Sequence, residues 1–184
     1  MDRALVELAK AGDEEAFAAL ARASGDRLLA VAFRILRDLG LAEDAVQQTL
    51  VIAWRELRGL RDPDRFDAWI HRLLVHACYA EARRAARWRQ QITVLPIEGP
   101  ASPDEIVTVA QRDQLDRGFR RLPTEQRAVF VFHHYLGLSL PEVARQLDIP
   151  LGTVKSRLHY ATVALRAALD ADARQGVTRT ERPA

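Results

Sequence analysis

Only one cysteine, Cys78, occurs among the 184 residues of this chain. That excludes a disulfide framework and a cysteine-built zinc site within one chain. No apolar run approaches the roughly 20 residues that a membrane-spanning helix needs. The start, Met1-Asp2-Arg3 with Glu7 and Lys10 soon after, holds no signal-peptide core. Strand-like alternation is nearly absent and β-branched residues are scattered, so no sheet is expected. There is no glycine-rich phosphate loop and no Ser/His/Asp pattern. The simplest reading left is a cytoplasmic all-α protein that is not an enzyme, with no cofactor, no metal and no membrane partner.

What is present is helical. Hydrophobic residues make up 48% of the chain, enough for one ordinary domain or two small ones. Apolar positions at helical spacing predict a helix or helix pair over about 3–23 and helices over about 25–38, 42–58 and 66–88. Gly40 is the expected cap of the second, Gly59 breaks the third, and the turn residues 61–65 follow. From Gln91 to Asp104 the periodicity fails, and Pro96, Gly99, Pro100 and Pro103 crowd together. Further helices are expected near 105–121, 124–136, 140–147 and 151–169. The resulting scheme is two small helical domains, 1–90 and 109–170, joined by a flexible linker, 91–108, with a frayed tail, 171–184.

Charge is unevenly placed. The net charge is only +2, but residues 66–90 hold Arg72, Arg83, Arg84, Arg87 and Arg89 against Asp67 and Glu81. A local basic cluster on a nearly neutral chain suits a polyanion. On the helix over 66–88, Phe66, Ile70, Leu73 and Ala77 share the core face. Arg72, His76, Tyr79, Arg83 and Arg87 form one basic and aromatic stripe, able to hold a single strand by phosphate neutralisation and stacking. The alternative for this stripe is a solvated helix flank with Tyr79 filling the core. Trp54 and Trp69 read as core residues.

The most informative segment is 139–159. Ser139 and Glu142 have capping-box spacing, with Pro141 in the first turn. Asp148-Ile-Pro150 makes a turn. In the second helix Val154, Leu158, Ala161 and Leu165 form one inner stripe, while Gly152, Ser156, His159 and Val163 point outward, flanked by Lys155 and Tyr160. Gly152 and Thr153 leave room for phosphate at the helix start. Arg157, on the inner flank, is placed to pair with Glu142 or to reach a phosphate. This is the layout of a helix-turn-helix that offers its second helix to the major groove. A plain helical hairpin is the alternative.

The segment Leu151-Gly-Thr-Val-Lys-Ser-Arg-Leu158 resembles the recognition helix of the C-terminal domain of bacterial sigma factors, above all the extracytoplasmic-function (ECF) group of the sigma-70 superfamily. Arg121-Leu-Pro-Thr-Glu-Gln-Arg-Ala-Val-Phe130 resembles the helix before it. Leu41 to Leu57 is similar to the helix that such factors press on the polymerase clamp. Phe66 to Tyr79, with Arg83-Arg84, resembles the helix that engages the −10 element. The resemblance implies −35 contacts from Lys155, Ser156, His159 and Tyr160, and polymerase contacts from Asp44, Gln47, Gln48 and Trp54. It also implies a base-capturing loop at Arg61, Asp62 and Arg65. The implied partners are core RNA polymerase, promoter DNA and an anti-sigma factor. The chain departs from the family at Gln48, where Glu is usual, and at His76, where Asn is common. It departs again at Ala80, where an acidic residue is common, and at Tyr160, where a basic one is usual. Two other readings stay open: a stand-alone helix-turn-helix regulator, and a decoy that binds polymerase without directing initiation.

Several residues look catalytic but carry no site. His133 and His134 are adjacent and cannot both point inward, and Glu43 and Asp44 diverge by about 100° on a helix. Cys78 reads as a small buried residue.

Overall fold

The structure is a computed structural model that describes residues 1–91 and 116–180, with side chains for 1–88 and 116–169. Every regular element among the described residues is helical. Helix α1 (Arg3–Lys10) is capped by Asp2, whose carboxylate accepts from the Ala4 amide at 2.9 Å. Helix α2 (Glu14–Leu36) is capped by Asp13, with Glu14 and Glu15 in the first turn, where the helix dipole favours negative charge. The expected break near residue 24 does not occur. Ser24 lies inside the helix and satisfies its hydroxyl by donating to the Leu20 carbonyl at 2.6 Å. Leu20 and Leu28, on either side, are fully buried. Their burial outweighs the helix cost of Gly25, about 1 kcal/mol.

Helix α2 ends on Arg37, which sits in the left-handed region at φ 60 and donates its amide to the Phe33 carbonyl at 2.8 Å. Gly40 is therefore not the cap. It lies in the first turn of α3 (Leu39–Glu56), because Asp38 is a strong N-cap and starts that helix earlier. Two short 3-10 turns, Leu57–Gly59 and Pro63–Arg65, lead to α4 (Phe66–Gln91). The second turn is fixed by Asp62, which accepts from the Asp64 amide at 3.1 Å, and by Pro63 in its first position. Helix α3 packs between α2 and α4, and α1 closes on α2. Leu20, Leu28, Val31, Ile35, Phe66, Ile70 and Leu74 fill this first lobe.

The second lobe holds a helical stretch at 116–121, then α5 (Thr124–Phe130), α6 (Leu140–Leu147) and α7 (Leu151–Thr180). Helix α5 runs on as a π-helical turn over Val131–Tyr135, closed by the Leu136 amide on the Val131 carbonyl at 3.1 Å. The capping box forms: the Ser139 amide and hydroxyl both donate to Glu142 Oε2, at 2.8 and 2.6 Å. Asp148, at φ 53, turns the chain from α6 into α7. Helix α7 continues beyond the expected end near 169, to Thr180. Ala167, Ala168, Ala171 and Ala173 are strong helix formers and explain the extension.

The expected linker, 91–108, falls almost entirely outside the described residues. The two lobes nevertheless meet directly. One continuous core joins Val31, Ile35, Val75 and Cys78 to Ala128, Val129, Phe132, Val143 and Val154. Helix α5 packs on α2 and α4, and α6 packs on α4.

Candidate nucleic-acid interface

The helix-turn-helix presents the face that its sequence implies. Val154, Ala161 and Leu165 are buried and Leu158 is half-buried, which fixes the rotation of α7. Gly152, Lys155, Ser156, His159, Tyr160 and Val163 are exposed on the other side, and Thr153 is half-exposed. A Cβ added at Gly152 would meet nothing within 4 Å, so the space over the helix start is open. The rings of His159 and Tyr160 lie 5.7 Å apart, edge to face. Ser156 turns its hydroxyl back onto the Thr153 carbonyl at 3.0 Å and must exchange that bond to meet a base. Arg157 does not pair with Glu142, whose carboxylate is held by Ser139. It is half-buried instead, and its charge is felt at the Tyr79 hydroxyl.

Helix α4 keeps most of its stripe open. Arg72, His76, Arg83 and Arg87 are exposed, and among the described residues none of the three arginines has an ion-pair partner. Arg61 and Arg65 are exposed beside the turn that Asp62 holds. Two members differ from expectation. Tyr79 is not an open stacking platform: its hydroxyl is enclosed with no partner among the described residues, and burial pushes it up to about 12 while Arg157 pulls the other way. It sits at the edge of the stripe, partly buried against the core that the two lobes share. Arg84 is engaged by Asp44 at 2.8 Å and by Glu81 at 2.7 Å. A residue assigned to DNA is thus tied to one assigned to polymerase.

On α3, Asp44, Gln47 and Gln48 are exposed, and so is Trp54, which leans on Phe17 with ring centroids 4.9 Å apart. Trp54 is therefore a part of the surface and not a core residue. Val51, also exposed, completes the row Gln47, Val51, Trp54 at steps of four and three. That spacing could have revealed it. Trp88, 62% exposed at the far end of the stripe next to Arg84, was also missed, although an aromatic after Arg83, Arg84 and Arg87 is a visible signal.

A cleft of about 660 Å³ runs along the seam, lined among others by Trp69, His71, Arg72, Leu138 and Arg145. His71 donates from Nδ1 to the Asp67 carbonyl at 2.7 Å, and its Nε2 has no partner among the described residues. Burial lowers its pKa, the Asp67 carbonyl opposes that, and Arg27 adds to it. The folded chain therefore holds His71 neutral. Its contribution to stability is complete above the ordinary histidine value near 6.5 and is lost as pH falls from there towards the lower folded value. Urea melts of the native chain should weaken between pH 7 and pH 5.5, and His71→Phe should flatten that slope. An equal slope in both chains would remove His71 as its source.

His133 closes the turn by donating to the Leu138 carbonyl at 2.7 Å, and His134 lies against Phe130 at 4.4 Å. Among the described residues no group of three His, Cys, Asp or Glu could hold a metal ion, and no helix is long and apolar enough to cross a membrane. Cys78 is fully buried, and burial pushes its thiol up to about 12.

Comparison with known proteins covers both lobes. Residues 20–88 match the family described as sigma-70 region 2, and residues 112–165 match sigma-70, region 4. The ECF RNA polymerase sigma factor SigL of Mycobacterium tuberculosis is 38% identical over 176 residues, covering 91% of this chain and 97% of that protein. SigW of Bacillus subtilis is 24% identical over 176 residues, covering 89% and 94%. Among solved structures, CnrH in complex with the cytosolic domain of CnrY superposes with a TM-score of 0.63 at 30% identity, covering 93% of this chain and 98% of that one. The sigma factor RpoE in complex with the anti-sigma factor NepR from Bartonella quintana gives a TM-score of 0.66 at 25% identity, covering 85% and 98%.

Proposed function

This chain belongs to the ECF group of the sigma-70 family, and from that premise we propose how its residues divide the work. It acts as a sigma subunit, binding core RNA polymerase and directing it to promoters; it makes and breaks no covalent bond itself. Lobe one, 1–90, sets Asp44, Gln47, Gln48, Val51 and Trp54 of α3 against polymerase. The open stripe of α4, Arg72, His76, Arg83 and Arg87, takes the −10 strand by phosphate neutralisation, with Arg61 and Arg65 at the base-capturing turn. Lobe two, 109–170, places Lys155, Ser156, His159 and Tyr160 in the major groove of the −35 element, with Gly152 and Thr153 at phosphate. CnrH and RpoE were solved with CnrY and NepR; this chain, too, takes an anti-sigma partner.

The observation that carries this reading is the rotation of α7. Its buried stripe leaves Lys155, Ser156 and His159 exposed in front of an open helix start. Purified chain with core polymerase should start transcripts at one position on a responsive promoter. Gln47→Lys plus Val51→Asp should lower core-polymerase affinity by about tenfold, the size of one interface anchor, with helix content unchanged. Silence on every promoter, together with tight duplex binding in the absence of polymerase, would favour the stand-alone regulator instead.

A further inference from the structure

Helix α4 carries an aromatic ring in the open at its far end. Trp88 is 62% exposed, one residue past Arg87, and borders a hollow of about 340 Å³ whose other walls are Leu41, Arg84 and Ala85. Leu41 and Ala85 are half-buried and give the hollow an apolar side. Its charged member is held in place. Arg84 bonds to Asp44 at 2.8 Å and to Glu81 at 2.7 Å, and both bonds use Nη2. Neither occupies Nη1 or Nε. Glu81 is itself buried, which anchors the guanidinium from below. A side chain already held at two points has little freedom left to lose when a ligand arrives.

A singly exposed hydrophobic residue is ordinary. Trp88 differs in what surrounds it: a formed hollow on one side and two exposed arginines close in sequence, Arg83 and Arg87. Neither arginine has an ion-pair partner among the described residues. An aromatic face, an apolar wall and a fixed guanidinium suit an unpaired base, which offers a face to stack and an edge to hydrogen-bond. The two open arginines suit its phosphates. A polymerase surface would also cover an exposed tryptophan, but the open cations beside it call for a polyanion. The position agrees. From Phe66 to Trp88 the helix rises about 33 Å, the length of about ten stacked nucleotides. The turn with Arg61 and Arg65 stands at one end of that run and Trp88 at the other.

We propose that Trp88, Leu41 and Arg84 form a second base slot: an unpaired nucleotide of the −10 strand, remote from the turn at Arg61 and Arg65, stacks on the indole while Arg83 and Arg87 take the phosphates beside it. The proposal rests on the sigma-factor reading above. Its test uses the native full chain, Trp88→Ala and Trp88→Phe, each with core polymerase, on a promoter fork whose −10 strand is single. Each nucleotide of that strand is replaced in turn by an abasic residue. With the native chain, one position remote from the captured base should lower affinity about tenfold, the size of one stacked base. Trp88→Ala should bind the intact fork about tenfold more weakly, and the abasic residue at that position should then cost less than about twofold more. Trp88→Phe keeps a ring and should stay within about threefold of the native chain. The fold should not change, since the ring is exposed and alanine is the better helix former. Coupling to Trp88 at no position would overturn the slot. An equal loss of core-polymerase affinity in Trp88→Ala without DNA would give the ring to polymerase instead. No specific binding of the native holoenzyme to intact duplex promoter would sink the sigma reading itself, and the slot with it.

Discussion

Arg127→Met should make the chain about 3 kcal/mol easier to unfold, one of the largest losses expected from a single substitution. Methionine keeps much of the volume and none of the donors. The Ile35, Leu122 and Arg120 carbonyls and the Thr124 hydroxyl each lose the same guanidinium. A hydrogen bond to a charged group contributes roughly 1.5–3 kcal/mol, and solvent at the more open acceptors recovers part of the loss. Arg127→Lys should recover little, because one ammonium cannot reproduce a planar fork that points three ways. Arg120→Ala is the control, since that side chain is exposed and, among the described residues, pairs only with Asp116 at 2.8 Å. Equilibrium urea melts decide the matter. A loss under about 1 kcal/mol for Arg127→Met would mean that the buried guanidinium is not the centre of the seam.

Lys155→Ala combined with His159→Ala should weaken −35 recognition by about 100-fold while leaving stability unchanged. Two lost contacts at roughly 1–3 kcal/mol each give that range. Both side chains are exposed, and neither has a hydrogen-bond partner among the described residues. Alanine is also the better helix former. Losing Lys155 should lower the salt dependence of binding by about one phosphate contact, whereas losing His159 should change base preference. Anisotropy titrations of holoenzyme on duplex promoter at several salt concentrations would separate the two. A loss under about threefold would take both residues off the readout face.

What was legible in the sequence was local. Ser139 and Glu142 announce the start of α6 three residues apart, and the stripe Val154, Ala161, Leu165 fixes α7 from its own spacing. The open arginines of α4 follow from the same wheel. What was not legible depends on distant chain. Gly40 resembled a cap, but Asp38 started the next helix first and left Arg37 to take the left-handed position. Ser24 and Gly25 resembled a break, and burial on both sides carried the helix through. Tyr79 lies on the edge of an exposed stripe, and it is enclosed against a core that both lobes share. Nothing in the sequence marks Arg127 as a buried donor, because its cross-seam acceptor is 92 residues away in sequence.

Cys78 gives the molecule a clock. It is fully enclosed where the first lobe's core runs into the second, and its thiol is held up at about 12. A thiol reagent consumes thiolate, so only molecules that have opened can react. Because there is no other cysteine, every labelling event counts one opening of that shared core. In the limit of fast reclosing, the labelling rate is the chemical rate scaled by the open fraction. Stability can then be read without denaturant, in a mixture, and while polymerase is bound.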